Sequence, residues 1–258
     1  MDVLEHVEIG GERPLYGSKS LLLKDVTVRA GESALKCSGD VTADKCRIEG
    51  MYVFWECTGV RCVDSFFAES ARASSWYGKG HSYKGCRIDA PKMFRELSSL
   101  QVVDTVMSNA AESFWRCKDV ELSGVELNEA EYCFLNASDV RIDNMREQGK
   151  YAFQYSSRVE IHNSVLDTKD AFWESDDCTV YDSEINGEYL GWYSRNLRLV
   201  RCRISGTQPL CYCSNLVLED CVFAADSDRC FEHSSVSGSI KGSVTSVVEP
   251  VSGHIIYK

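Results

Sequence analysis

Proline is scarce in this sequence, and apolar runs are short. Only 4 of the 258 residues are proline, and no apolar run is long enough to form a transmembrane helix. Positive charge is also in deficit, since the sequence has 28 Lys and Arg residues but 39 Asp and Glu residues, which gives a net charge of −11. Because nucleic-acid binding requires clustered Lys and Arg, we expect neither a membrane-spanning protein nor a nucleic-acid partner.

The first residues of the chain lack the features of a secretory signal. Such a signal needs a basic start and an apolar centre, whereas residues 1–14 carry Asp2, Glu5, Glu8 and Glu12. The sequence therefore predicts a cytoplasmic protein.

The 13 cysteines show no metal-binding spacing. There is no C-x-x-C motif, and the nearest pairs, Cys57 with Cys62 and Cys211 with Cys213, lack a second half at zinc spacing. Many cysteines instead share positions with Ser, Thr and Val, which is typical of small core residues. We expect buried, reduced thiols in a reducing compartment, with no bound metal and no cofactor.

A short repeat dominates the chain. Residues 21–235 divide without gaps into eleven units of 19 to 21 residues, and ten of the eleven begin with an apolar residue. The units begin at Leu21, Val41, Val60, His81, Leu100, Val120, Val140, Val159, Cys178, Leu197 and Leu216. A repeat of this length indicates one supersecondary unit stacked many times around a continuous core.

Each unit contains three short strand patterns. The apolar start is followed two residues later by a second mostly apolar position, then by Asp, Asn or Gly at a corner. A second strand follows with an inward pair such as Cys86 and Ile88, and a third row carries Leu35 or Phe54 and its equivalents. An antiparallel sandwich also has short strands, but it does not require one residue class at one phase in every repeat. The pattern predicts an all-β, single-stranded parallel β-helix (β-solenoid) of about 11–12 coils.

The ends of the chain fit the repeat poorly. We therefore predict a single domain over residues 1–258, with an N-terminal cap at 1–20, coils at 21–235 and a C-terminal cap at 236–258. Caps protect the terminal sheet edges of a solenoid from aggregation.

All five tryptophans follow the third inward row directly and so point outward. They are Trp55, Trp76, Trp115, Trp173 and Trp192. Such a row offers a contact surface for sugar rings or for an apolar partner segment. Loops could instead fold over the row and bury it. The sequence leaves this choice open.

Several segments resemble the bacterial domain-of-unknown-function family 3737. They include Gly31-Glu32-Ser33-Ala34-Leu35-Lys36, Ala71-Arg72-Ala73, Asp89-Ala90-Pro91-Lys92-Met93-Phe94-Arg95, Asp170-Ala171-Phe172-Trp173 and Gly187-Glu188-Tyr189-Leu190-Gly191-Trp192. The resemblance implies a pectin-lyase-like, right-handed β-helix in a prokaryotic cytoplasm, and it implies no reaction. Members are sometimes labelled hydrogenases, but this chain lacks the paired C-x-x-C ligands of such metal sites.

The motifs and the tryptophan row together select the candidate ligand-binding residues. These are Trp76, Arg72, Lys92, Arg95, Trp115, Asp170, Trp173, Glu188 and Trp192. Arg72, Lys92 and Arg95 could converge on one anion. Alternatively, the charges could form ion pairs between coils, for example Glu32 with Arg72 or Glu56 with Arg95.

Two classes of function follow. The first is a noncatalytic binding or scaffold rod that contacts a protein through the outward Trp, Arg and Lys face. The second is a carbohydrate-binding or carbohydrate-active protein, lyase or hydrolase, acting on an acidic saccharide. In that case Arg72 or Arg95 would be the base, and Glu96, Glu112 or Asp170 the acids. No catalytic residue, substrate or oligomeric state is assigned from the sequence, because fold alone does not give function.

Overall fold

The computed structural model describes all residues, 1–258, as strands, turns and connecting segments without an α-helix. One 3₁₀ turn occurs at Glu69–Ala71, and no helix is long and apolar enough to cross a membrane. Strand pairing is parallel in both parts of the chain. The protein is an all-β, right-handed parallel β-solenoid of about 13 turns, which confirms the predicted fold with slightly more turns than expected.

Residues 1–129 form one compact unit, called unit 1. Its first sheet contains Asp2–Glu5, Lys19–Lys24, Gly39–Asp44, Arg61–Val63, Lys79–Lys84, Ser98–Val103 and Lys118–Ser123. Its second sheet contains Glu8–Glu12, Thr27–Glu32, Arg47–Ile48, Phe66–Phe67, Arg87–Ile88, Val106–Met107 and the first four residues of the strand Glu126–Glu131. A short third sheet pairs Ser75–Trp76 with Phe94–Arg95.

Residues 130–258 form the second compact unit, called unit 2. Its first sheet contains Ser138–Asp143, Ser157–His162, Thr179–Tyr181, Arg198–Val200, Leu216–Phe223, Ser235–Ile240 and Ser252–Tyr257. Its second sheet contains Arg146–Lys150, Val165–Lys169, Glu184–Asn186 and Arg203–Ser205. The long strand Leu216–Phe223 pairs with Arg198–Val200 through its first half and with Arg203–Ser205 through its second half.

The predicted inward columns are buried within each unit. In unit 1, Leu21 pairs with Val41 and Leu100 pairs with Val120. In unit 2, Val140 pairs with Val159. Each of these side chains is buried. Equivalent side chains stack because parallel pairing in register places the same phase of successive coils side by side.

The third inward row is mostly phenylalanine, and an interruption in unit 1 shows how the core is filled. Phe54, Phe94 and Phe114 are fully buried in unit 1, but Ser75 occupies the same phase. The first-sheet residue Tyr83 is also fully buried, and its hydroxyl lies 2.5 Å from Ser75 Oγ. A large side chain from another row thus fills the space left by a small one, as close packing requires.

Corners use left-handed backbone at regular phases. Asp25, Asp64 and Asp104 directly follow first-sheet strands and have φ values of 51°, 46° and 47°. Asp and Asn tolerate this conformation better than most residues. The position after each outward tryptophan is also left-handed, for example Tyr77 and Tyr193, each with φ 59°. This corner explains how two adjacent residues both point outward.

The cysteines lie in the core, as predicted. Twelve of the 13 are buried, and only Cys37 is half-buried. Burial raises the pKa of the Cys57 thiol to about 12 and that of Cys86 to about 11. These thiols therefore remain protonated and act as small apolar side chains.

Candidate functional site

The tryptophans of unit 1 form a stacked column on its outer surface. The unit 1 column consists of Tyr52, Trp55, Trp76, Tyr77, Arg95 and Trp115. Its Trp and Arg side chains are half-buried because each follows a buried residue of the third inward row. The Trp55 and Trp76 rings lie 4.9 Å apart. The Arg95 guanidinium carbon lies 4.1 Å from the Trp76 ring and 4.3 Å from the Trp115 ring, so it is sandwiched between two indoles.

Two of the three candidate cations meet at one carboxylate. Lys92 Nζ lies 3.0 Å from Glu112 Oε1, and Arg95 Nη2 lies 3.5 Å from Glu112 Oε2. Arg72 is exposed and makes no ion pair within the unit. The structure therefore brings Lys92 and Arg95 together on a protein carboxylate, and it does not add Arg72 to that group.

The ion pairs differ from the two examples predicted from the sequence. Arg95 pairs with Glu112, whereas Glu56 pairs with Lys36, whose Nζ lies 3.6 Å from Glu56 Oε2. The predicted Glu56–Arg95 and Glu32–Arg72 pairs do not form. Sequence phase identifies the coil of a side chain, but the rotamers of long side chains decide which neighbour they reach.

Unit 2 carries an equivalent arrangement. The unit 2 column consists of Trp173, Tyr189, Trp192, Tyr193 and Tyr212. Trp173 and Trp192 stack with their centroids 5.5 Å apart, and Tyr193 and Tyr212 stack at 4.9 Å. Trp192 Nε1 donates a hydrogen bond of 2.8 Å to the Gln208 carbonyl. Two parallel ladders of rings result, and each ring is fixed by its neighbours.

The acidic candidates of unit 2 lie beside this column. Asp170 is buried, with 6% of its surface exposed, and desolvation raises the pKa of its carboxyl. Lys169 opposes this shift, and Glu188 adds to it. Lys169 Nζ lies 3.3 Å from Glu188 Oε2 and 5.1 Å from the Tyr189 ring. Glu188 is thus engaged in an ion pair with Lys169.

Both columns are open to solvent at their edges. The five tryptophans are all half-buried. Tyr77 and Tyr193 expose 43% and 45% of their surface. The rings stack face to face or face to edge along each column, so each ring contacts at least one neighbouring side chain. Ring edges and the exposed tyrosines Tyr77 and Tyr193 remain accessible, whereas the N–H groups of Trp76, Trp173 and Trp192 donate hydrogen bonds within the protein.

The columns offer little for acid–base catalysis. Arg95, a candidate base, is covered by indoles on both faces and forms an ion pair with Glu112, a candidate acid. Glu96, another candidate acid, pairs with Arg116 at 3.3 Å. A general acid or base needs a free edge directed at a substrate. Asp170 alone among these candidates combines burial with a raised pKa.

Two buried ionisable residues were not identified from the sequence. Glu147 occupies an inward position of the second sheet of unit 2, and neither of its carboxyl oxygens has a hydrogen-bond partner. His81 begins a coil of unit 1, and its Nε2–H donates a hydrogen bond of 3.1 Å to the Cys57 carbonyl. The repeat contained enough information to predict their burial. Glu147 occupies the same phase as buried Leu166 of the following coil, and His81 occupies the same phase as buried Leu100.

Comparison with known families covers almost the whole chain. The profile described as "Protein of unknown function (DUF3737)" matches residues 2–258. The chain belongs to the DUF3737 family. This agrees with the resemblance seen in the motifs, and no curated protein matches the chain significantly.

Solved structures are similar to this DUF3737 chain only at low identity and low TM-score. The A-module of mannuronan C-5 epimerase AlgE4 from Azotobacter vinelandii is 12% identical, covering 98% of this chain and 80% of that chain at a TM-score of 0.39. The periplasmic alginate epimerase AlgG is 13% identical, covering 99% and 73% at 0.36. The catalytic domain of a GH87 α-1,3-glucanase in complex with nigerose is 9% identical, covering 92% and 56% at 0.33. These neighbours are carbohydrate-active β-helix proteins, and their activities belong to those proteins.

Proposed function

We propose that this DUF3737 protein is a noncatalytic binding protein that contacts a partner protein through its aromatic columns. The observation that carries the proposal is the sandwich of Arg95 between Trp76 and Trp115, continued by the stack of Trp76 on Trp55. The surface it creates is aromatic, half-exposed and rigid.

Ring orientation argues against sugar stacking on Trp76, at the centre of the unit 1 column. A sugar packs its C–H groups on the face of an aromatic ring, and that face must be free. One face of Trp76 is covered by Trp55 and the other by Arg95. What remains is a row of ring edges with the hydroxyls of the exposed Tyr77 and Tyr193, which suits a protein surface of mixed polarity better than a saccharide.

The residue types fit a protein interface as well. Trp, Tyr and Arg are the residues that most often dominate binding energy at such interfaces. Their stacking here also lowers the entropy lost on binding, because the side chains are already immobilised. Exposed tyrosines, Tyr77 in unit 1 and Tyr193 in unit 2, are the accessible anchors.

The local charges are largely compensated within each unit. Glu112 faces both Lys92 and Arg95, and Lys169 faces Glu188. The electrostatic potential of the columns is therefore poorly complementary to a strongly charged partner surface. We expect the partner to present an apolar and aromatic patch with a polar rim.

Site-specific photocrosslinking in the native host tests this function. A photoreactive phenylalanine analogue would replace Tyr77 or Tyr193, and the matched control would replace Tyr257, which is 51% exposed and outside both columns. We expect one defined protein to crosslink from the column positions and not from the control. The purified partner should then bind Tyr193→Asn at least about tenfold more weakly than the unmodified protein.

The opposite outcomes are equally clear. If the same mixture of proteins crosslinks from all three positions, the columns are not an interface. If no protein crosslinks, and oligosaccharides protect the tryptophans from quenching by iodide, the saccharide alternative replaces this proposal. Asn is a suitable replacement because it tolerates the left-handed backbone that Tyr193 adopts.

A further inference from the structure

A depression lies on the outer face of the first sheet of unit 1, away from the aromatic column. Its volume is about 370 Å³. Ser20, Asp40, Thr42, Gly59, Arg61 and Gly80 are among its lining residues. Ser20, Asp40, Gly59 and Gly80 occupy the same corner of four successive coils, so at about 4.8 Å per coil the depression extends over about 14 Å.

Two glycines create the depression. Gly59 and Gly80 have φ values of 65° and 69°, at a corner where Ser20 and Asp40 are also left-handed. Side chains project from this corner at Ser20 and Asp40 but not at the next two coils. A Cβ atom on Gly80 would meet nothing closer than the Gly59 nitrogen at 3.8 Å. The space above Gly80 is therefore open.

The polar groups around this space have no partners within the protein. Arg61 is exposed and makes neither an ion pair nor a side-chain hydrogen bond, and the same holds for the Asp40 carboxylate. The Thr42 hydroxyl is also free. A guanidinium, a carboxylate and a hydroxyl thus line one elongated depression, all available to a ligand.

Unit 2 provides an internal contrast. A depression of about 320 Å³ also lies on the outer face of its first sheet. Its Arg158 is engaged, because Nε and Nη2 lie 2.6 Å and 3.0 Å from the two carboxylate oxygens of Asp139. The unpaired arginine is therefore a property of the unit 1 depression and not of outer-face depressions in general.

We propose that the unit 1 depression binds an acidic oligosaccharide. Arg61 would bind a sugar carboxylate, while Asp40 and Thr42 would accept or exchange hydrogen bonds with sugar hydroxyls. The length of the depression favours a chain of sugars over a single small molecule. Its polar, open lining favours a hydroxylated ligand over an apolar one. This proposal does not depend on the function proposed for the aromatic columns.

Isothermal titration calorimetry with a galacturonate trisaccharide tests the site. The expected result is binding that Arg61→Gln weakens by about tenfold or more, as loss of a charge-assisted hydrogen bond predicts. Gly80→Asn should block binding, because Asn tolerates the left-handed backbone and fills the open space. The matched control, Arg146→Gln, changes an exposed arginine of unit 2 and should bind like the unmodified protein.

Further ligands and one column variant define the outcomes. Maltotriose, which is neutral, should bind at least about tenfold more weakly than the acidic trisaccharide, and sulfate or serine should not compete. Tyr77→Asn changes the unit 1 column and not the depression, so it should leave saccharide binding unchanged. The experiment therefore tests the depression independently of the function proposed for the columns. The inference is overturned if the acidic trisaccharide does not bind, if Arg61→Gln and Gly80→Asn bind it normally, or if maltotriose, sulfate or serine binds equally well. Circular dichroism would verify that both variants are folded.

Discussion

Replacing Glu147 should stabilise this protein, although most core substitutions destabilise. Glu147 is 2% exposed, and both of its carboxyl oxygens lack a hydrogen-bond partner. The Thr168 hydroxyl nearby also lacks one. The same inward position is Leu166 in the next coil and Ile185 in the one after it. The protein thus buries a carboxyl group in a column that otherwise holds aliphatic side chains.

The electrostatic consequence has a definite sign. Burial raises the pKa of the Glu147 carboxyl well above its usual value of 4.5, and the neighbouring Asp167 carboxylate adds to the shift, which Thr168 only partly opposes. Between pH 4.5 and the folded-state pKa, the folded protein holds a proton that the unfolded chain has released. Stability is therefore greatest below that interval and falls as the pH rises through it, by up to about tenfold in the folding equilibrium per pH unit.

Two substitutions separate the charge from the burial of a polar group. Glu147→Gln keeps the shape and removes the ionisation, so it should match the unmodified protein near pH 4 and exceed its stability at neutral pH. Glu147→Leu also removes the unpaired polar atoms, and it should be more stable at both pH values by about 1–3 kcal/mol. A leucine should fit at position 147, because the equivalent position of the next coil is already occupied by Leu166.

Denaturant unfolding at several pH values measures the effect. The control is Glu184→Gln, since Glu184 lies on the same sheet but is exposed, and this variant should follow the pH profile of the unmodified protein. The reasoning would be refuted if Glu147→Gln showed that same profile too. It would also be refuted if Glu147→Leu were less stable at neutral pH.

Three further predictions follow from the core and the columns. A thiol reagent should modify Cys37 alone in the native protein, because the other cysteines are buried; mass spectrometry would count the labels, and native labelling of Cys57 would contradict this. Arg95→Ala should destabilise the protein by about 1–3 kcal/mol through loss of both indole contacts, whereas Arg72→Ala should have no effect in the same unfolding assay. Burial lowers the pKa of His81 to about 4, so stability contributed by neutral His81 should be lost as the pH falls from about 6.5 to about 4. Titration by nuclear magnetic resonance would show this midpoint, and a midpoint near 6.5 would be inconsistent with a buried ring.

The fold was predictable because every coil repeats the same physical requirement. A position such as Val41 or Val120 must be small enough and apolar enough to pack between equivalent residues of the neighbouring coils, so one phase carries one residue class in nearly every coil. The terminal strands Asp2–Glu5 and Ser252–Tyr257 lie outside this pattern. They pair through backbone groups, which require no particular side chain, and sequence periodicity therefore underestimates the number of turns.

The candidate site was predictable in position but not in orientation. Sequence phase placed Trp76, Arg95 and Trp115 on one outward row. Phase could not show that the Arg95 guanidinium lies between the two rings, because that position depends on side-chain rotamers and on the ion pair between Arg95 and Glu112. Glu147 was missed for a different reason. Its phase in the repeat predicts an inward, buried position, but an ionisable side chain is not expected in an apolar core.

The two proposed surfaces differ in how their polar groups are engaged. In the unit 1 column, Arg95 already has an aromatic group on each face and a carboxylate at one edge, so a ligand would have to displace existing contacts to reach its charge. In the depression, Arg61 and Asp40 have no such contacts to displace. When a polar ligand replaces the water around Arg61 and Asp40, it can hydrogen-bond to both side chains. Binding there therefore avoids the free-energy cost of leaving a buried polar group without a partner. The rigid column therefore suits recognition by shape, and the depression suits recognition by charge and hydrogen bonding.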